Sequence, residues 1–316
     1  MAEANATELY RKHRPTKLTD VLGQDKVIAT LTTLLEGGRF PHVSLITGPS
    51  GVGKTTLARI IARKLGCSDM DLQEINCAVI QGPMETVQGI HQGMGLSPWG
   101  GKSRGYILDE VQSLSRAGFA QQALLKMLEE TPEHVYFFFC TTNPEKILDT
   151  VRSRCTPFQL EPLSSDTLVK VLETVIKREG GWKGPPGVVA EIASLANGSA
   201  RQALVLLGKV FGSDDPEYVS QTLKASDPQK EAIDLCRVLM NNRSKWADVT
   251  AVLNNTDKNP EELRRAVLGY AASVLLKGTN NRAYLILTAF ESHFFDSGKG
   301  GLVRACFEVF QDKSTS

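Results

Sequence analysis

A chain of 316 residues is long enough for two or three domains, each with a core of its own, and 41% hydrophobic with 22% charged residues excludes a disordered or fibrous protein. A formal net charge of +1 excludes a global field that attracts polyanions, so nucleic acid would have to be met by a local patch. Six cysteines without a C-x-x-C pair argue against structural zinc or a disulfide framework and for a reducing, cytoplasmic setting. No stretch nears the ~18 apolar residues of a membrane span, the opening MAEANATELYRKHRP has no apolar leader, and no membrane partner is expected.

In chain order, residues 26–36 place Val27, Leu31, Leu34 and Leu35 on one helical face before Gly37 and Gly38 stop it. HVSLITG is a short apolar strand that runs into GPSGVGKTT and then into the helix LARIIARKLG. DLQEIN, RGYILDE, HVYFFFCTT and TPFQLEPL read as four more strands, with helical patterns such as FAQQALLKMLEE between them. The unbroken apolar run from Val135 to Cys140 suits a parallel strand buried on both faces. Alternation of this kind predicts a parallel α/β sheet. After Pro162 strand signals stop. SSDTLVKVLETVIKREG, PPGVVAEIASLANG and SARQALVLLGKVFG read as short helices ended by glycine. Five further helical segments follow a breaker near Pro228. The expected organisation is an α/β nucleotide-binding domain over residues 1–162, a small helical domain over 163–224, and an all-helical domain over 225–316.

The chemistry concentrates in the first domain. GPSGVGKT fits G-x-x-x-x-G-K-S/T between a strand and a helix, the context a phosphate-binding loop requires. Backbone N–H groups of Gly48, Pro49, Ser50, Gly51, Val52 and Gly53 (proline lacking its own) wrap phosphate oxygens, and Lys54, Thr55 and Thr56 open the helix. Lys54 reaches the β- and γ-phosphates of ATP, or the β-phosphate of ADP, and the Thr55 hydroxyl ligates Mg²⁺. Asp109 and Glu110 end a buried strand, where parallel sheets gather ligands. Asp109 is the expected metal-shell ligand and Glu110 the group that polarises the attacking water. Thr142 ends another strand at the same rim, either hydrogen-bonding the γ-phosphate or water, or capping local backbone. Arg201 lies in the first turn of a helix, where the dipole disfavours a cation; it either meets phosphate or is a solvated charge.

Together LYRKHRPTKLTDVLGQDKV, GPSGVGKTT, EIN, ILDEVQSLS, QQALLKMLEETPEHVYFFFCTTNPEKI, SRC and GSARQAL resemble, in order and spacing, the clamp-loader ATPases of the AAA+ superfamily. That family includes the tau/gamma subunit of bacterial DNA polymerase III, replication factor C small subunits and phage large subunits; in its compact form this chain is most similar to the last. The resemblance is strong over residues 8 to about 212. It implies a helical lid and an all-helical collar after the ATPase domain. It implies Tyr10, Arg11, Pro15, Val21 and Leu22 around adenine, Thr142 as sensor 1, Arg201 as sensor 2, and Arg154 of SRC as an arginine finger for a neighbouring subunit's ATP. Implied partners are further clamp-loader subunits in a pentameric ring or spiral of like and unlike chains, a sliding clamp, and primer–template DNA held by its phosphates. The implied setting is the cytoplasm of a bacterium or phage-infected host. Lys102, Arg104, Arg116 and the helix start near Thr86 are candidate phosphate contacts, though a solvated charge is the more ordinary reading of each. Departures are His13 where the family has Tyr, lone Cys67 and Cys77 where bacterial chains bind zinc, and Gln88 where a basic residue is usual. Rival readings are a branch-migration helicase, a helicase loader, or a small-molecule P-loop kinase.

Overall fold

The structure is a computed structural model that describes residues 8–116, 118–225, 230–241, 243–254, 256, 260–294 and 297–311. It forms two compact units, residues 1–219 and 220–316. The expected breaker at Pro228 lies outside the described residues.

In the first unit five strands make one parallel sheet: β1 (Val43–Thr47), β2 (Cys67–Asn76), β3 (Ser103–Asp109), β4 (Val135–Thr141) and β5 (Thr156–Gln159). Their spatial order is β2-β3-β4-β1-β5. The parallel α/β expectation therefore holds. β2 begins four residues earlier than DLQEIN, across a register shift between Cys67 and Leu72. Helices α1 (Leu9–Lys12), α2 (Asp25–Glu36), α3 (Lys54–Lys64), α4 (Pro83–Met94), α5 (Gly118–Glu129) and α6 (Asp149–Arg152) surround the sheet.

Strand alternation divides the core in two. Leu45, Tyr106, Leu108, Phe137 and Phe139 pack with Val87, Ile90, Leu124 and Met127 of α4 and α5. Their neighbours Ile46, Ile107, Phe138 and Cys140 point the other way, onto Leu31 of α2 and Leu57, Ile60 and Ile61 of α3. This two-sided burial explains the unbroken apolar run of β4, since neither face of a central parallel strand meets water.

Three helices follow in the same unit: α7 (Ser165–Arg178), α8 (Val188–Leu195) and α9 (Ala200–Val210). Ser164 and Ser199 cap α7 and α9, their hydroxyls accepting from the N–H groups of Thr167 and Gln202. α10 (Pro216–Ala225) runs across residue 219. The second unit contains α11 (Lys230–Met240), α12 (Trp246–Asn254), α13 (Pro260–Leu275), α14 (Asn281–Ala289) and α15 (Gly298–Gln311) around a core of its own. Among the described residues no helix is long and apolar enough to cross a membrane. All six cysteines are free thiols, and burial pushes those at 67, 77, 155, 236 and 306 up to about 12.

Candidate nucleotide site

β1 leaves the sheet at Thr47, and the backbone folds over residues 48–53 before α3 begins at Lys54. Two glycines make that fold possible. Gly48 has φ 143°, and a Cβ there would stand 2.5 Å from the Leu160 carbonyl oxygen. Gly51 has φ 78°, and a Cβ there would collide with the Ser199 hydroxyl at the cap of α9. The bare backbone of Gly51 lets α9 settle onto the loop, with the Arg201 N–H donating to the Gly51 carbonyl at 3.3 Å.

Lys54 is buried under this loop. Its ammonium donates to the carbonyls of Gly48 and Pro49, both at 2.8 Å. Burial lowers its pKa, opposed by the nearby charges of Glu110 and Asp109. One residue on, the Thr55 hydroxyl donates to Asp109 Oδ2 at 2.7 Å. A hydroxyl and a carboxylate oxygen in contact beside a phosphate-shaped loop are the hard donors that Mg²⁺ takes, with phosphate and water completing its shell. Among the described residues there is no group of three His, Cys, Asp or Glu side chains suited to a metal, and Mg²⁺ held partly by phosphate needs none.

Glu110 has φ 52°, a left-handed conformation uncommon for a residue with a side chain. The turn is held by its own N–H on Asp109 Oδ1 at 3.0 Å and by the Ser113 N–H on its carbonyl at 2.9 Å. Thr142 stands beyond it, its hydroxyl 3.4 Å from Glu110 Oε2.

A cavity opens over the loop between the carboxyl ends of the strands and α7 and α9. Its lining combines apolar side chains, Val21, Leu22, Leu163, Val171, Val175 and Leu204, with polar and charged ones, Lys54, Thr55, Asp109, Glu110, Arg14 and Arg201. A ligand with a flat apolar head and a polyanionic tail matches that combination. Of the residues expected from sequence, Tyr10, Pro15, Val21, Leu22, Ser50 through Thr56, Asp109, Glu110 and Arg201 all line it.

The remaining expected residues lie elsewhere. Gly48 and Pro49 sit beneath the cavity, holding Lys54. Arg11 is exposed and turned onto the Tyr10 hydroxyl at 3.2 Å, outside the lining; the helical turn of α1 carries it to the solvent side. Thr142 lies behind Glu110. Arg154 is outside this chain's own cavity. Its guanidinium donates to the Thr150 carbonyl at 2.9 Å and pairs with Glu129 at 2.5 Å. Arg152 pairs with Asp149. Arg201 stacks over the Tyr10 ring with 5.6 Å to its centroid, so the charge is engaged rather than simply solvated.

The cavity is also lined by residues that the sequence does not single out as site residues, among them Arg14, Thr174, Arg178 and His13. Arg14 reaches the cavity half-buried, its pKa lowered by burial and by Arg59. Its signal in sequence is its place in LYRKHRPTKLTDVLGQDKV, beside Pro15. Arg178 and Thr174 come from α7, whose sequence shows an amphipathic helix but not which ligand it covers. His13 lines the cavity and pairs with Glu179 at 2.5 Å. Among the candidate DNA contacts, Arg104 is corrected: it is half-buried and donates to the carbonyls of Gly93 and Ser97 at 2.9 and 3.1 Å, a structural brace. Lys102 is exposed. The Thr86 hydroxyl bonds back to Gly82. The Arg116 side chain lies outside the described ones.

Comparison with known proteins places this geometry. Residues 80–164 match the family model described as DNA polymerase III, delta subunit, and residues 13–89 match the Holliday junction DNA helicase RuvB P-loop domain. The chain is 34% identical over 238 residues to DNA polymerase III subunit tau of Escherichia coli, covering 69% of this chain and 36% of that one. It is 34% identical over 220 residues to DNA polymerase III subunit gamma of Buchnera aphidicola subsp. Schizaphis graminum, covering 63% of this chain and 60% of that one. The chain thus spans between about a third and two thirds of the length of these relatives. Among solved structures, the RuvB Holliday junction branch migration motor of Thermotoga maritima is similar in fold, with a TM-score of 0.57 at 20% identity over 80% of this chain and 85% of that one.

Proposed function

We propose, for a chain that belongs to the AAA+ clamp-loader ATPases, that it binds ATP with Mg²⁺ and hydrolyses it to ADP and phosphate as one subunit of an assembly that places a sliding clamp on primer–template DNA. The observation that carries the ATPase reading is the Thr55–Asp109 contact at 2.7 Å beneath the glycine loop, with Glu110 next in the chain. Val21, Leu22 and Val175 would take the adenine, and Lys54, Arg201 and the loop N–H groups would take the phosphates. Lys54 exchanges its two loop carbonyls for phosphate oxygens. Thr55 and Asp109 would hold Mg²⁺, which when bound neutralises charge on the phosphates. Glu110 orients the attacking water and accepts its proton.

The finger is read as acting in trans. Arg154 is exposed, outside its own chain's cavity, and held only by one backbone carbonyl and a surface pair with Glu129. A neighbouring chain in a ring or spiral of like and unlike subunits offers what this one lacks, a γ-phosphoryl group within reach. Residues 163–224 serve as the lid, tied to the phosphate loop through the Gly51–Arg201 bond, and residues 225–316 as the collar. DNA is held through phosphates, without sequence readout.

The clamp-loading part of the reading is supported by the likeness to tau and gamma subunits across more than 200 residues. A branch-migration motor is the second reading, favoured by the RuvB match over residues 13–89 and the shared fold. ATP hydrolysis by the full chain with its co-purified subunits separates them. Primer–template DNA together with the clamp should stimulate turnover for a loader. Stimulation by a four-way junction alone would favour the motor.

A further inference from the structure

Val111 and Leu114, three residues apart on the short 3-10 turn after Glu110, are both buried in the sheet core. That anchoring directs Gln112 away from the core and toward the rim of the nucleotide cavity, where it meets Glu110, Thr141 and Thr142.

Obligate donors and acceptors set the main hydrogen-bond directions in this cluster. The Asn143 backbone N–H can only donate, and it does so to Thr141 Oγ1 at 3.0 Å. The Thr141 hydroxyl is then free to donate, and its partner at 2.6 Å is Gln112 Oε1. Thr141 is buried at the end of β4, so this bond is shielded from water. The Glu110 carboxylate can only accept, which sets the Gln112 amide one way round: NH₂ toward Glu110, carbonyl toward Thr141. The NH₂ group donates to Glu110 Oε2 and, at 3.3 Å, to Thr142 Oγ1. The Asn143 side-chain amide also donates to Thr142 Oγ1, at 3.2 Å. With donors on its lone pairs, the Thr142 hydroxyl hydrogen is left for Glu110 or for a bound phosphate.

We propose that Gln112 is a positioning residue for hydrolysis: its amide, polarised by buried Thr141, holds the Glu110 carboxylate on the water and aims the Thr142 hydroxyl at the γ-phosphate. Glu110 sits on a left-handed turn at the end of a strand, and beyond Gln112 its carboxylate meets the Thr142 hydroxyl only at 3.4 Å. Gln112 supplies a neutral donor. A cation in its place would draw Glu110 into an ion pair, and a carboxylate would repel it. The inference rests on the ATPase reading above.

The test uses the full chain in its purified assembly, comparing Gln112→Leu, the isosteric Gln112→Glu, which has no NH₂, and Gln112→His, which restores an N–H donor. Turnover is measured at saturating ATP, affinity is measured with a fluorescent ATP analogue, and thermal unfolding reports folding. Leu and Glu should each lower kcat about 10- to 100-fold, the scale of a misplaced catalytic group, with affinity within about twofold of wild type. His should recover part of the lost kcat. The proposal is overturned if the Glu variant, which keeps the shape, turns over like wild type, or if kcat and affinity fall together across the series. Wild type and Glu110→Gln run alongside. If wild type hydrolyses ATP and Glu110→Gln does not, a failure at Gln112 belongs to this inference alone. If Glu110→Gln hydrolyses normally, the ATPase reading falls and this inference with it.

Discussion

Two glutamates show how differently one side chain is used in this protein. Glu261, in the second unit, is closed off. Its carboxylate accepts from Arg264 Nε and Nη2 at 2.8 and 2.7 Å and from the Phe294 N–H at 3.0 Å, while Arg264 also donates to the Phe290 carbonyl. Both side chains are buried, and the Arg264 hydrogen bond leads the causes that hold Glu261 down at about 2. Glu110, in the first unit, is open. It faces a cavity, sits on a left-handed turn, and is met by neutral donors only, the Gln112 amide and, at 3.4 Å, the Thr142 hydroxyl. A carboxylate with every lone pair engaged joins helices. One left partly engaged beside a polyanion-shaped cavity is available for chemistry.

If the open network is completed from another chain, the largest effect comes from a residue that never touches it in this chain. Arg154→Ala should lower turnover about 10³- to 10⁵-fold, the range for a finger on a transferring phosphoryl group. Binding of ATP should be unaffected, as read by fluorescence titration. Glu110→Gln comes next, with turnover down about 10²- to 10⁴-fold and ATP retained, which an equilibrium filter-binding assay would register.

The closed network predicts the opposite pattern. Glu261→Ala leaves Arg264 buried and unpaired, and should cost the second unit about 3–5 kcal/mol in denaturant unfolding without changing ATP affinity. Acid sharpens the contrast. The Glu261 carboxyl titrates below its ordinary 4.5 when folded, at about 2. Its stabilisation is therefore full above about pH 4.5 and disappears as pH falls toward 2. Unfolding of the wild type across that window should steepen relative to Glu261→Gln. The smallest effect is expected at Glu129→Ala. The Arg154–Glu129 pair is solvent-exposed and worth about 0–1 kcal/mol, so stability should barely move and turnover should stay within a few-fold of wild type.

The first unit was far more legible in sequence than the second. GPSGVGKT, YILDE and the apolar run Val135 to Cys140 each bind a local pattern to one place in a parallel sheet, so the loop, the acids and the buried strand could be placed before any coordinates. Arg14, Thr174 and Arg178 could not, because they reach the cavity by the folding of distant segments over it. Gln112 was passed over for a different reason: its meaning comes from the proton on Thr141, fixed by a backbone N–H from Asn143. Arg104 reads in sequence as a solvated charge or a phosphate contact, because its carbonyl partners at Gly93 and Ser97 belong to a separate helix and loop. In the second unit helical periodicity announced the helices, but the Glu261–Arg264 core pair reads in sequence as two ordinary charges three residues apart.

The central claim is that hydrolysis needs Glu110 from one chain and Arg154 from the next. Mixing Glu110→Gln and Arg154→Ala chains tests it directly, since each is silent alone and each supplies what the other lacks. In a 1:1 mixture in which copies adjoin at random, turnover at those interfaces should return to about a quarter of wild type, the product of an intact base and an intact trans finger. A mixture as silent as its two components, under conditions where wild-type copies assemble and hydrolyse ATP, would contradict the account.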